Sequence, residues 1–331
     1  MLPVEVPEKG KCFLKLSYYL KSDRPLQPAG QFLGFDEIAL TNADSRNQEA
    51  LAMNTVTEGA VSVSETDRII TVTGSSFTYT MDKRTGLWKT MNISGKELLD
   101  RPMQWNVWRA PTDNDRKIKL IWKNNEYNAP VTRVYEISAA STGDTAVIRA
   151  HVGLTGWSIQ KFLDLHVTWT VHGGGEMDVE IQGLRNVEFR FLPRFGLRLF
   201  LPNDMEQVTY FGLGPMENYL DKCRAARYGY FRDPVSGLHE DSIKPQENGS
   251  HSGCDYMVLE SDSLRLTAVG TEGFSFNASH FTPEQLTVAK HRTELVPDDD
   301  VTVIIDYKQS GCGSNSCGPG LAEKYQLCEK A

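Results

Sequence analysis

Cysteine is scarce in this chain: six in 331 residues, of which only Cys312 and Cys317 lie close together. That is too few for a disulfide scaffold, so mostly free thiols are expected. The Cys-x4-Cys spacing has no nearby histidine or second pair, which fits structural zinc poorly. Basic runs are also missing. Lys plus Arg is 35 and Asp plus Glu is 43, a net charge of -8 with the signs interspersed, so nothing can track a phosphate backbone and nucleic acid is excluded as a partner. No apolar run approaches the roughly 20 residues of a membrane-spanning helix. Met1 to Gly10 is charged and proline-bearing, without the apolar centre of a signal peptide. These absences predict a soluble protein with no membrane partner, cytoplasmic or periplasmic.

The residues that are present, 40% of them hydrophobic, are enough to build a sizeable core. Period-two alternation dominates. In "FLDLHVTWTVH", Leu163, Leu165, Val167, Trp169 and Val171 share one face and Asp164, His166, Thr168, Thr170 and His172 the other, the mark of a strand with one side in a core. "EMDVEI", "FGLRLFLP", "LRLTAV" and "VTVIIDY" repeat the pattern. Many strands between Gly, Pro and Asn turns predict an all-β sandwich or barrel. "FTYTMDKRTGLWKTMNI" reads as a hairpin turning over Asp82 to Gly86. Helix signals are thin: only "TPEQL" carries a start signature, with Thr282 as N-cap, Pro283 at the first helical position and Gln285 closing a capping box.

Thr41 to Gly59 is polar and poorly periodic and reads as a linker. The segment before it holds "CFLKLSYYL" and the aromatic "QFLGFDEIAL", too little for an independent sandwich of about 100 residues. The expected division is 1–45 as the closing strands of one domain, 46–60 as linker and 61–331 as a large two-sheet assembly.

Five blocks then carry a family resemblance: "WRAPTDND" (Trp108 to Asp115), "PRFGLRLFLP" (Pro193 to Pro202), "YFGLGPMENYLDK" (Tyr210 to Lys222), "PQENGSHSG" (Pro245 to Gly253) and "GCGSNSCGP" (Gly311 to Pro319). Their order resembles the C-terminal part of the large bacterial beta-galactosidases of glycoside hydrolase family two. "PLQPAGQF" with "DEIAL" resembles the close of the immunoglobulin-like domain that precedes it. The resemblance implies a large antiparallel super-sandwich of galactose mutarotase type. It also implies an accessory role, because the paired carboxylates of a retaining glycosidase lie in that family on a (beta/alpha)8 barrel, and this sequence has no alternating beta-alpha pattern to build one. A fragment that shapes the rim of another domain's site is therefore expected, with no catalytic or metal-ligating residue of its own. The substrate, a beta-galactoside, would be met through the parent enzyme, a homo-oligomer, with the other domains of the same chain as neighbours. Magnesium and sodium would belong to the missing barrel.

Among the candidate sites, "GPMENY" reads as a structural corner: Gly212 and Gly214 permit positive φ, while Glu217 and Asn218 bind exposed backbone groups. Asp113, Asn114 and Asp115 concentrate polar groups on an expected loop, facing either turns or sugar hydroxyls. A calcium loop is not supported, since the required glycine and distal glutamate are missing. The glycine-rich segment after "VTVIIDY" is an exposed, shaped loop. By resemblance, Cys317 occupies the place of a tryptophan that forms a sugar platform, and Asn315 and Ser316 flank it at the rim. The rival readings are a free-standing carbohydrate-binding module and an aldose epimerase. The latter requires a His with a Glu, for which His151, His166, His172, His251 and His280 and Glu180, Glu247 and Glu272 are available.

Overall fold

A computed structural model describes Val6, 11–42, 59–314 and 316–329. Every strand pairing among these residues is antiparallel, and the fold is all-β as the alternation requires. The strands β1 (Lys11–Tyr19) and β2 (Phe32–Asn42) form a hairpin. Most of the expected linker lies outside the described residues. A five-stranded meander follows: β3 (Ser62–Glu65), β4 (Ile69–Thr73), β5 (Phe77–Asp82), β6 (Leu87–Ile93) and β7 (Lys96–Glu97). A four-stranded meander contains β9 (Val131–Thr142), β10 (Thr145–Thr155), β11 (Leu163–His172) and β12 (Met177–Arg185). The third and largest sheet runs in the order β15-β14-β16-β17-β18-β13-β8. Its members are β8 (Arg101–Asn106), β13 (Arg194–Pro202), β14 (Gln207–Gly214), β15 (Arg227–Pro234), β16 (His251–Glu260), β17 (Arg265–Ser279) and β18 (Asp300–Gln309).

One hydrophobic core joins these three sheets. On β11 the five alternating residues from Leu163 to Val171 are all buried, each such aliphatic side chain contributing about 1.5–3 kcal/mol. Trp169 of β11 meets Trp88 of β6 edge-on at 5.8 Å, and its indole N–H donates to the Gly86 carbonyl at 3.2 Å. Gly86 closes the β5–β6 hairpin with φ +69, where the expected turn falls. Trp105 of β8 donates to the Thr85 carbonyl at 3.1 Å, so the same turn fastens the large sheet to the meander. The edge strand β12 departs from the pattern: Val179 is exposed and Met177 and Ile181 are only half-buried.

The second face of the large sheet differs from the expectation of a plain polar exterior. On β13 both faces are buried, Phe195, Leu197, Leu199 and Leu201 toward the core and Arg194, Arg198 and Phe200 on the other side. The helix Pro283–Val288 covers this side, with Leu286 buried and Glu284 bound to Arg198 at 2.8 Å. Its Thr282–Gln285 capping box is formed as the sequence predicts. A second helix, Ile118–Asn124, follows a 3-10 turn over Asp113–Arg116, in the segment read from sequence as loop.

Register explains why distant segments meet. Phe276 of β17 pairs with both His251 of β16 and Ile305 of β18, which sets the start of β16 level with the middle of β18. The pairings Phe211–Tyr256 and Gly196–Asn106 bring the ends of β14 and β8 to the same region.

Candidate functional site

The five sequence blocks converge on that region, and buried charge joins them. Arg109 is fully buried and forms a two-pronged contact with Asp115 at 2.8 and 3.2 Å. It also donates to the carbonyls of Ser310 and, at 3.0 Å, Gly311, so one guanidinium ties the first block to the base of the glycine-rich loop. Burial works against the Arg109 charge, but the Asp115 carboxylate outweighs it and the pKa rises. Beside it, Arg194 of the second block binds Asp306 of β18 in two-pronged fashion and Glu247 of the fourth block at 3.1 Å. Its remaining contact, 2.7 Å to the Asn277 side chain, completes a planar guanidinium's fork. Asn277 in turn donates to the Asn248 carbonyl at 2.7 Å.

A third clamp holds the glycine-rich loop from the side of β14. Asp221 accepts the backbone N–H groups of Cys312 and Gly313 at 2.8 and 2.7 Å. Any side chain at Gly311 would collide with that carboxylate, since a Cβ there would lie 2.5 Å from Asp221 Cγ. Burial pushes the Cys312 thiol up, leaving it protonated.

The expected rim residues are therefore distributed unevenly. Asn114 donates to the Gly313 carbonyl at 3.0 Å, joining its turn to the loop. The backbone N–H of the exposed Asp113 donates to Gln246 at 3.0 Å. Asp115 faces inward and is spent on Arg109 and on the Thr112 N–H at 2.9 Å. Ser316 is half-buried and Cys317 exposed beyond the clamped part of the loop, 3.9 Å apart from hydroxyl to thiol sulfur. Asn315 lies outside the described residues. Arg109, Asp221 and Arg194 were not singled out from sequence, although all three stand inside the quoted blocks.

The corner reading of "GPMENY" agrees with its bonds. Asn218 donates to the Leu213 and Met216 carbonyls at 2.8 and 3.1 Å and accepts from Ser252 N–H at 2.9 Å. Glu217 accepts from Gly249 N–H at 3.0 Å and pairs with Lys222. The glycines act differently from the expectation, for neither Gly212 nor Gly214 has a positive φ. They are small because neighbours press on them: a Cβ on Gly212 would lie 2.5 Å from Cys254 Sγ, and one on Gly214 2.3 Å from the Tyr210 hydroxyl.

Between these segments opens a cleft of about 390 Å³, lined in part by Asn114, Glu217, Tyr219, Glu247 and Ser314. Two of its carboxylates are matched by cations, Glu217 by Lys222 and Glu247 by Arg194. No histidine lines it. His151 binds Asp164, His172 binds Asp178 and His280 binds Glu206, each at 2.8 Å. His251 packs between Tyr210 and Phe276. None of the pairs with Glu180, Glu247 or Glu272 that an epimerase would need forms among the described residues, and no group of three or more metal-ligating side chains occurs among them.

The converging blocks all lie within the span of one family match. Residues 73–331 match the family described as beta galactosidase small chain, and the chain belongs to it. Among curated relatives, a beta-galactosidase of Actinobacillus pleuropneumoniae is 38% identical over 99% of this chain, and one of Staphylococcus xylosus is 33% identical over 94%. The chain spans 32% and 31% of their lengths. A solved protein of Escherichia coli K12, provisionally assigned as an aldose 1-epimerase, aligns with 75% of this chain and 89% of its own at 9% identity and a TM-score of 0.38.

Proposed function

We propose that this chain is the C-terminal accessory part of a retaining beta-galactosidase, shaping the rim of an active site whose catalytic carboxylates another part of the enzyme supplies. The observation that carries the reading is the clamped loop. Arg109, Asp221 and Asn114, from two separate blocks, fix the backbone of Ser310 to Gly313, and the exposed Cys317 stands just beyond. Loops carried on a rigid scaffold are where proteins place recognition groups. Holding one in a single shape reduces the entropy lost when a ligand arrives.

The chemistry within this chain fits an accessory role. A retaining mechanism needs a nucleophile and a protonated acid about 5 Å apart, whereas Glu217 and Glu247 are both engaged by cations. In this reading Asp113, Asn114, Ser316 and Cys317 border the sugar site, terminal beta-galactose is the group recognised, and any magnesium or sodium sits with the catalytic part. Complementation tests it. An Actinobacillus pleuropneumoniae relative truncated before the matching third is mixed with this chain and assayed on a nitrophenyl beta-galactoside. Restored hydrolysis, with a KM that changes when Cys317 is replaced by Trp, is expected. If the two parts co-purify and the KM is insensitive to Cys317, the rim assignment is wrong.

A further inference from the structure

The cleft has a lining suited to a ligand of its own. Its floor is Glu247, whose side chain is 3% exposed. Glu247 Oε1 accepts from Arg194 and from Gln309, both at 3.1 Å. Oε2 makes no hydrogen bond among the described residues and belongs to a side chain that borders the opening. An acceptor held by a buried arginine and left with a spare lone-pair edge is set to receive a hydroxyl donor. Around it, the side chains of Glu240, Ser242 and Ser314 also border the cleft, and none makes a side-chain hydrogen bond among the described residues.

Charge and shape select the class of ligand. Lys222 and Arg194 are already matched by Glu217 and Glu247, so no unspent cation awaits an anion, and Glu240 adds a negative charge that opposes one. All the lining residues except Cys312 and Gly313 carry a polar or charged group on the side chain. The volume of about 390 Å³ falls within the roughly 300–1,000 Å³ typical of small-molecule sites.

We infer that this cleft, bounded by Glu247 at its floor and by Glu240, Ser242 and Ser314 at its walls, binds a neutral hydroxyl-rich ligand the size of a mono- or disaccharide. The ligand's hydroxyls donate to Glu247 Oε2 and Glu240, and the serine hydroxyls accept or donate as its orientation requires. Binding here needs neither a barrel nor a partner, which separates it from the rim role proposed above.

Ligand-observed NMR and calorimetry on the full chain alone, with galactose, glucose, lactose and the anionic galacturonate as probes, test the inference. Saturable binding of at least one neutral sugar at about millimolar Kd is expected, with galacturonate weaker. Ser242→Trp and Ser314→Trp, which add bulk to the lining and leave the buried ion pairs intact, should each weaken binding about tenfold or more with Tm unchanged. Glu240→Gln should lessen the discrimination against galacturonate. No saturation by any of the neutral sugars up to about 100 mM would overturn the inference, as would saturable binding that neither tryptophan variant alters. Failure here leaves the complementation result untouched, because that experiment reads hydrolysis by the assembled enzyme.

Discussion

Asp221 Oδ1 lies 2.8 Å from the backbone nitrogen of Cys312, a residue 91 positions further along the chain. The other oxygen takes the next amide, Gly313, at 2.7 Å. One carboxylate thus stands in for a strand partner at the point where β18 has ended and the loop begins. Hydrogen bonds to a charged acceptor contribute about 1.5–3 kcal/mol each, enough to hold a glycine-rich segment whose unbound backbone would be unusually free.

Asp221→Ala should release the loop without unfolding the sheets. Hydrogen exchange at the Cys312 and Gly313 amides should accelerate strongly, while the amides of β11 keep their protection. The loss in global stability should be about 1–3 kcal/mol. Unchanged exchange at those two amides would refute the clamp.

Arg109 and Asp115 form a fully buried pair, and breaking one side of such a pair costs about 3–5 kcal/mol because a charge is left unmatched. Arg109→Met should destabilise by that order in urea unfolding. The double variant Arg109→Met with Asp115→Leu should recover part of the loss, since no buried charge then remains. Additive losses would show that the two residues are not coupled.

His251 gives the fold an acid limit. Burial lowers its pKa from 6.5 to about 4, so between these values the unfolded chain takes up a proton that the native protein refuses. Stability from this source is complete above about pH 6.5 and is lost as pH falls toward 4, by about 3 kcal/mol at most. His251→Phe, which keeps an aromatic ring against Tyr210 and Phe276, should flatten the stability profile across that interval. A profile as steep as that of the native protein would place the titration elsewhere.

Gly212→Ala should destabilise more than an ordinary strand substitution. The added Cβ would lie 2.8 Å from the backbone Cα of Cys254, which cannot rotate away, and overpacking of this kind costs about 1–3 kcal/mol. Gly95→Ala provides the contrast, with open space around its Cβ and only the positive φ of +83 to oppose it. Equal losses at the two sites would show that crowding is not what keeps Gly212 small.

Where local pattern and burial agreed, the fold was legible. β11 is one example, with five alternating residues that all reach the core, and the Thr282 capping box is another, because its bonds are local and both partners lie four residues apart at most. The helix Ile118–Asn124 escaped because its N-cap, Lys117, makes no side-chain capping bond, and only Trp122 of its residues is buried while Leu120 and Ile121 are exposed. Its apolar residues therefore trace no inward face. The second side of β13 escaped for a different reason. Arg194 and Arg198 read as a polar exterior, and only the covering helix and the 245–250 segment, which are tertiary neighbours, make them interior. The same holds for the site: the converging blocks were visible as a set, but that Asp115 turns toward Arg109 while Asn114 reaches Gly313 depends on contacts up to 199 positions away.

In the proposed function this chain frames a glycosidase site without containing its catalytic acids. The most direct test of that claim is a nitrophenyl beta-galactoside assay on the purified chain alone, at high protein concentration, beside the variants Glu217→Gln and Glu247→Gln. No turnover above the buffer rate is the predicted result for all three proteins. Hydrolysis by the unaltered chain that either substitution abolishes would contradict the claim and move the chemistry into the cleft itself.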